Sequence, residues 1–273
     1  MRDKLSETAP YDAAWFANQA PGSRQSAAVV LPSALDLLES CGWPVRSMVD
    51  VGAGAGTWLA VAQELGVGDE ILAVEGEWVR DVETEVPKTR YIFADVGRTI
   101  KVPRRFDLAI SLEVAEHLPA EQATCFVDNI TALSDVVLFS AALPHQGGTH
   151  HVNEQWPAYW ADLFDRRGFV AYDVLRWRLW DDVRVSFWYR QNLLLFVRRS
   201  REDLCRALDQ LPWRSVFPNG PLAVVHPEKY EGLIAVYRCP PARLLLRALP
   251  EALWRAFAWR ARRLLGLREG DAE

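Results

Sequence analysis

The chain has 273 residues, half of them hydrophobic and 25% charged, with 31 basic and 36 acidic side chains for a net charge of −5. That balance excludes a disordered polymer, and with no run of about 18 consecutive apolar residues it excludes a membrane-spanning helix. Its acidity also speaks against a surface built to grip nucleic acid, so no nucleic-acid partner is expected.

Met1 to Pro10 is polar, of mixed charge, and has no apolar run suited to a signal peptide. Cys41, Cys125, Cys205 and Cys239 form no CxxC pair, and a cytoplasmic protein with reduced thiols is expected. Tyr11–Gln19 and Ser26–Ser40 read as two helices, with Pro32 near a first turn or at a kink. Residues 1–45 are expected to form an N-terminal helical segment, either a lid or a packing pair.

From residue 46 to about 200, strands and helices alternate. Strands are expected at Ser47–Val51, Ile71–Glu75, Tyr91–Ala94, Phe106–Leu112, Asp135–Ala141, Phe169–Leu175 and Leu193–Val197. Helices are expected at Thr57–Leu65, Trp78–Glu85, Ala120–Leu133 and Glu154–Arg167. Apolar strands without strict alternation, separated by helices, indicate an α/β fold with a doubly wound, mostly parallel sheet covered on both faces. The last two strands are separated by seventeen residues without helical period, which suits an antiparallel pair.

The most informative stretch runs Val49-Asp50-Val51-Gly52-Ala53-Gly54-Ala55-Gly56-Thr57-Trp58, ending the first strand and opening a helix. Glycines allow a sharp turn and close approach of a ligand, and the helix start offers free N–H groups. The dinucleotide fingerprint is GxGxxG, whereas here the third glycine comes one position early. Asp50 would repel a pyrophosphate but suits a cationic ligand. Glu75, followed by Gly76, ends the second strand where a carboxylate accepts from both ribose hydroxyls. Asp95 follows the third strand, placed for an adenine amine, with Val96 against the ring. A nucleoside with a positively charged tail fits these positions. A nicotinamide dehydrogenase would also want Glu75, but the glycine spacing and Asp50 speak against it.

Over about residues 46–198 the chain resembles the class I S-adenosylmethionine-dependent methyltransferases, through the glycine loop with its acids and through Ser111-Leu112-Glu113-Val114-Ala115-Glu116-His117-Leu118, which looks like the E-x-x-E-H segment common in small-molecule members. The resemblance implies a seven-stranded Rossmann-like sheet whose last strand is antiparallel. It implies that Asp50, Gly52, Ala53, Gly54 and Gly56 surround the methionine end of the cofactor. Glu75 and Gly76 would meet the ribose, Asp95 and Val96 the adenine, and Leu112 and Glu113 the sulfonium.

Methyl transfer to a hydroxyl requires alignment, exclusion of water and removal of a proton. The candidate bases are His151, just before an expected helix, and His117, beside Glu116. His145, His150 and His151 share a Gly-Gly loop after the fifth strand, a rim position typical of active-site segments. Three histidines with Glu154 also raise a metal reading, in which His145, His151 and Glu154 would be the ligands. Their spacing matches no strong template, so no metal is expected.

Asn153 to Trp160 resembles a segment of a bacterial subgroup associated with glycan or natural-product clusters. With His145, His150 and Glu154, the rings of Trp156, Tyr159 and Trp160 are candidates for holding an acceptor; spacing of four along a helix equally suits core packing for Trp156 and Trp160. No Asn-Pro-Pro-Tyr-like tetrad, Pro-Cys nucleophile or arginine-methylating glutamate hairpin is present, which leaves a small molecule as the expected acceptor. An oxygen is the expected target. A nitrogen, a carboxylate, or a non-catalytic cofactor-binding subunit are the alternatives.

Beyond residue 200 lies an extension, 201–273, with an expected helix at Glu202–Gln210 and strand at Leu233–Tyr237. Charge changes sign here: residues 1–240 sum to −8, residues 241–273 to +3. Arg243–Leu267 reads as a basic amphipathic helix suited to an anionic membrane, to self-association, or to packing on its own domain.

Overall fold

A computed structural model describes residues 13–68, 70–211 and 222–238, and scattered positions from 240 to 260. The chain divides into two compact units, Met1–His226 and Pro227–Glu273.

The first unit is organised on a seven-stranded sheet in the order β3-β2-β1-β4-β5-β7-β6. The strands are β1 (Ser47–Val51), β2 (Glu70–Glu75), β3 (Tyr91–Phe93), β4 (Leu108–Leu112), β5 (Val136–Ser140), β6 (Phe169–Tyr172) and β7 (Leu194–Arg198). Strands β1 to β5 pair in parallel, and β7 runs antiparallel to both β5 and β6. This is the expected doubly wound sheet. Every residue of β1, β4 and β5 is buried, because helices cover both faces.

Alternation along each strand sorts side chains between two cores. Met48, Leu108, Ile110, Val136 and Leu138 face one, with Val30, Leu31, Leu37 and Leu38 of α1 (Ala13–Ser40). Val49, Val51, Ala109, Val137 and Phe139 face the other, with α3 (Ala123–Leu133) and α4 (Pro157–Asp165). α2 (Thr57–Glu64) packs against α1 and follows the glycine loop.

Several local expectations give way to tertiary context. The two N-terminal helices are one continuous α1 that passes through Pro21 and Pro32. Its apolar stripe, buried in the first core, holds the helix together where the prolines remove backbone bonds. Trp78–Glu85 is only a 3-10 turn at Glu77–Asp81. The stretch between β6 and β7 is not structureless: it forms α5 (Arg176–Leu179) and α6 (Phe187–Asn192). These helices are too short to show a period in sequence. α7 (Glu202–Asp209) follows β7 and buries Leu204 and Leu208.

In the second unit, the expected strand at Leu233–Tyr237 is instead part of a helix, Pro227–Arg238. The local signals favour this outcome: Pro227 opens the helix, Glu228 lies in its first turn and Arg238 in its last, matching the helix dipole. Most of the expected helix Arg243–Leu267 lies outside the described residues. Within it, Leu246, Leu249, Leu253, Trp254 and Phe257 are helical and exposed. Among the described residues no helix is long and apolar enough to cross a membrane.

Candidate active site

The strand order reverses between β1 and β4, and open parallel sheets leave a crevice at that point beyond the carboxyl ends of their strands. A cavity of about 560 Å3 lies there. One part of its wall is the glycine loop. After β1 the chain turns at Gly52, whose N–H donates to the Val74 carbonyl (2.8 Å). Gly52 has φ +86°, and a Cβ there would fall 2.5 Å from both methyl groups of Val114. Only glycine fits that backbone and that space.

Two buried carboxylates face the loop. Glu75 accepts the N–H of Gly54 through Oε2 and that of Gly76 through Oε1, both at 2.7 Å. Burial pushes its carboxyl up in pKa, and those two bonds oppose the shift. Asp50 is held well above the ordinary carboxylate range, first by burial and then by the charge of Glu75. A cationic ligand would relieve both carboxylates, which an anionic pyrophosphate would not.

Also on the cavity wall, β4 ends at Leu112 and the chain passes through Glu113, a non-glycine residue at φ +56°. The Glu113 carboxylate is held by Asn192 Nδ2 (3.0 Å) and Gln146 Nε2 (2.9 Å), and its N–H donates to the Ser140 carbonyl (3.0 Å). Such a backbone is tolerated because β5, α6 and the loop after β5 all hold the same residue. Burial raises the pKa of the Glu113 carboxyl, and these side-chain hydrogen bonds oppose it.

The histidines His117, His150 and His151 line the same cavity. His151 Nδ1 lies 2.9 Å from Glu154 Oε1. Glu154 also accepts the N–H groups of His145 and Gly147, both at 2.7 Å, so one carboxylate ties down the loop and orients the imidazole. Burial pushes the Glu154 carboxyl up, but its bonds to His151, Gly147 and His145 outweigh that and leave its pKa lowered. His117 meets the His151 ring edge-on, with centroids 4.9 Å apart. Burial and then the His151 charge depress its pKa to about 4, so it is a neutral imidazole near neutrality.

The cavity thus brings together Asp50, Gly52, Ala53, Gly54, Glu75, Val96, Leu112, Glu113, His117, His150 and His151. Other expected residues stand elsewhere. Gly56 caps the start of α2, and Gly76 lies under the Trp78 ring. Asp95 is half exposed, pairs with Arg98 (3.2 Å) and accepts the Gly97 N–H. His145 and Glu154 stand behind the histidine loop as its scaffold, so the sequence-level metal set His145, His151 and Glu154 is an internal hydrogen-bonded unit. Trp160 is 2% exposed and packs on Phe139, a core residue and not an acceptor platform. Tyr159 packs against the same core, and Trp156, though exposed, is not part of the cavity wall.

The wall also carries Trp58, Trp78, Trp188, Tyr189, Ser23 and Gln146, none of which the sequence marks as a site residue. Trp58 closes the glycine-loop string and Gln146 follows His145 in the Gly-Gly loop, so proximity to those loops is a usable signal. Trp188 and Tyr189 arrive on α6, and Ser23 on α1, through contacts distant in sequence.

No protein-family model matches this sequence, and no curated protein matches it. Solved structures do. The chain is similar to the sugar N-methyltransferase KedS8 from Streptoalloteichus, with TM-score 0.50 and 13% identity over 72% of this chain and 97% of that one. It is also similar to CalS10, an amino pentose methyltransferase from Micromonospora echinaspora (TM-score 0.49, 14% identity, 70% and 99% covered). A third similarity is to the magnesium protoporphyrin IX methyltransferase ChlM from Synechocystis (TM-score 0.44, 17% identity, 67% and 87% covered). With the strand order above, the first of these shows that the chain has the Rossmann-like fold of class I methyltransferases.

Proposed function

We propose that this protein is an S-adenosylmethionine-dependent methyltransferase acting on an oxygen of a small molecule. The observation that carries the reading is one cavity lined both by the carboxylate-backed glycine loop and by the His117–His151 edge. Asp50 and the loop around Gly52 and Gly54 receive the cationic methionine end, Glu75 the ribose, and Val96 the adenine ring, with Asp95 nearby. The acceptor oxygen approaches from the histidine edge and attacks the methyl carbon in line. The C–S bond breaks as the O–C bond forms, and S-adenosylhomocysteine leaves. The histidine edge activates the oxygen, and His151, oriented by Glu154, is the better placed of the two imidazoles to take its proton. Residues 46–200 carry this chemistry, and α1 contributes Ser23 to the cavity rim. Sugars are a first acceptor class to screen, since KedS8 bears that description.

Calorimetry tests the cofactor. S-adenosylhomocysteine is expected to bind and nicotinamide dinucleotide not to; the reverse result refutes the reading. Release of S-adenosylhomocysteine across a panel of alcohols, amines and carboxylic acids then tests the acceptor, with turnover confined to the amines or acids excluding an oxygen target of the hydroxyl kind.

For the second unit we propose docking to an anionic membrane surface. Its support is the exposed stripe Leu246, Leu249, Leu253, Trp254 and Phe257 in a segment with seven Arg and four acids. Trp254→Asp in the full chain is expected to reduce sedimentation with anionic vesicles; unchanged partition of wild type and variant sinks this idea.

A further inference from the structure

Glu116, His117 and His151 each place a metal-ligating atom within 4.8 Å of the others, and all three line the cavity. Glu116 is wholly buried, and neither of its carboxylate oxygens makes a well-formed hydrogen bond among the described residues; only the backbone N–H groups of Glu116 itself and Ala142 bear on it, at poor geometry. A carboxylate in that state costs free energy unless a ligand satisfies it. Its neighbour Glu113 differs, since Asn192 and Gln146 already occupy that carboxylate.

The surroundings of His151 favour the same interpretation. Its Nδ1 is engaged by Glu154, which leaves Nε2 as the atom turned to a ligand. A carboxylate behind one imidazole nitrogen, with a metal on the other, is the usual way proteins fix the tautomer and orientation of a ligating histidine. At Gly148, a Cβ would fall 2.2 Å from that same Nε2, so a glycine there keeps the space beside the nitrogen open.

We propose that Glu116, His117 and His151 hold a divalent transition-metal ion. Two imidazoles and one carboxylate suit manganese, iron, cobalt, nickel or zinc better than calcium or magnesium, which prefer oxygen ligands throughout. Three protein ligands leave positions open towards the cavity, where the acceptor oxygen approaches. This inference rests on the methyl-transfer reading for its role, and within that reading it puts the ion, in place of His151 as base, as what activates the hydroxyl. An alcohol bound to the ion loses its proton more readily. The O–H bond breaks, the proton leaves to solvent water, and the oxygen then attacks the methyl carbon. His151 then serves as a ligand and not as the proton acceptor, still positioned by Glu154.

The test uses the full chain, stripped with a chelator and titrated with Mn2+ followed by electron paramagnetic resonance, and in parallel with Zn2+ by calorimetry. One ion per chain is expected. Glu116→Gln and His117→Ala are expected to abolish binding, and Glu154→Gln to weaken it by about 10–100-fold through loss of support behind His151. Binding of S-adenosylhomocysteine and the melting temperature, measured on the same variants, report separately on the cofactor site and the fold. Failure of wild type to take up either ion while it binds S-adenosylhomocysteine overturns the metal site and leaves the methyl-transfer reading standing. Equal ion uptake by wild type and by folded Glu116→Gln and His117→Ala overturns it as well. Specific ion uptake without S-adenosylhomocysteine binding keeps the metal site and refutes the methyl-transfer reading. With the ion bound, turnover of an alcohol acceptor is expected to collapse on chelation and return with Mn2+; full turnover by the stripped enzyme restores His151 as the direct base and overturns the ion's role.

Discussion

Gly52→Ala places a methyl group in the glycine loop at φ +86°, 2.5 Å from both methyls of Val114. Two costs combine. A non-glycine residue in the left-handed region loses roughly 1–2 kcal/mol. The clash adds an overpacking cost of about 1–3 kcal/mol, because Val114 is β-branched and has no flexible end to swing away. Gly66→Ala is the control: its φ is +83°, but a Cβ there meets nothing within 4 Å, so only the first cost applies. For a unit of this size each kcal/mol lowers the melting temperature by about 2–4 °C. Gly66→Ala is then expected to lose about 2–8 °C and Gly52→Ala distinctly more, up to about 20 °C. Calorimetry with S-adenosylhomocysteine on the two folded variants adds the functional half. Gly52→Ala is expected to weaken binding, since the loop must move off Val114, whereas Gly66→Ala, at the far end of α2, is expected to leave it unchanged. Equal losses of melting temperature, or unaltered affinity in Gly52→Ala, would refute the close-approach argument.

Three further outcomes follow from the same geometry. Between the ordinary carboxylate pKa and the raised value of Asp50, the folded chain keeps a proton that the unfolded chain has released. Stability of the free protein is therefore expected to fall as pH rises through that window, and S-adenosylmethionine binding to tighten as Asp50 ionises. Asp50→Asn should flatten both slopes in thermal melts and calorimetry across pH; slopes identical to wild type would count against Asp50. Trp160→Ala is expected to cost about 3–5 kcal/mol by denaturant unfolding, since it empties a core site against Phe139, while the exposed Trp156→Ala costs no more than about 0.5 kcal/mol. Arg176 is fully buried, pairs with Asp173 (2.8 Å) and donates to the carbonyls of Gln191 (3.0 Å) and Leu222 (2.8 Å). Arg176→Ala is expected to cost about 3–5 kcal/mol and to raise hydrogen exchange around residue 222; exchange unchanged there would show that this tie is not needed.

The sequence by itself determined the alternating βα order, the antiparallel end of the sheet and the glycine loop with Asp50 and Glu75 behind it. These are local properties: strand composition, turn chemistry and the order of a few acids are written in contiguous residues. It also singled out His151, through a loop rich in glycine and histidine, and His117, through the string after the fourth strand; both line the cavity. Only the tertiary structure decided what surrounds them. Glu116 reads in sequence as a polar neighbour of His117, yet its carboxylate is buried without a well-formed hydrogen bond among the described residues because the loop after β5 folds over it. Glu154 moved from the acceptor side to the scaffold of His151, since its oxygens are consumed by His145, Gly147 and the imidazole. Trp160 went to the core and Trp58, Trp188 and Tyr189 to the cavity wall, because an aromatic ring carries the same apolar signal in either place. α1 runs on through Pro32 for a similar reason. The loss of one backbone bond is local, but the burial that outweighs it comes from strands far along the chain.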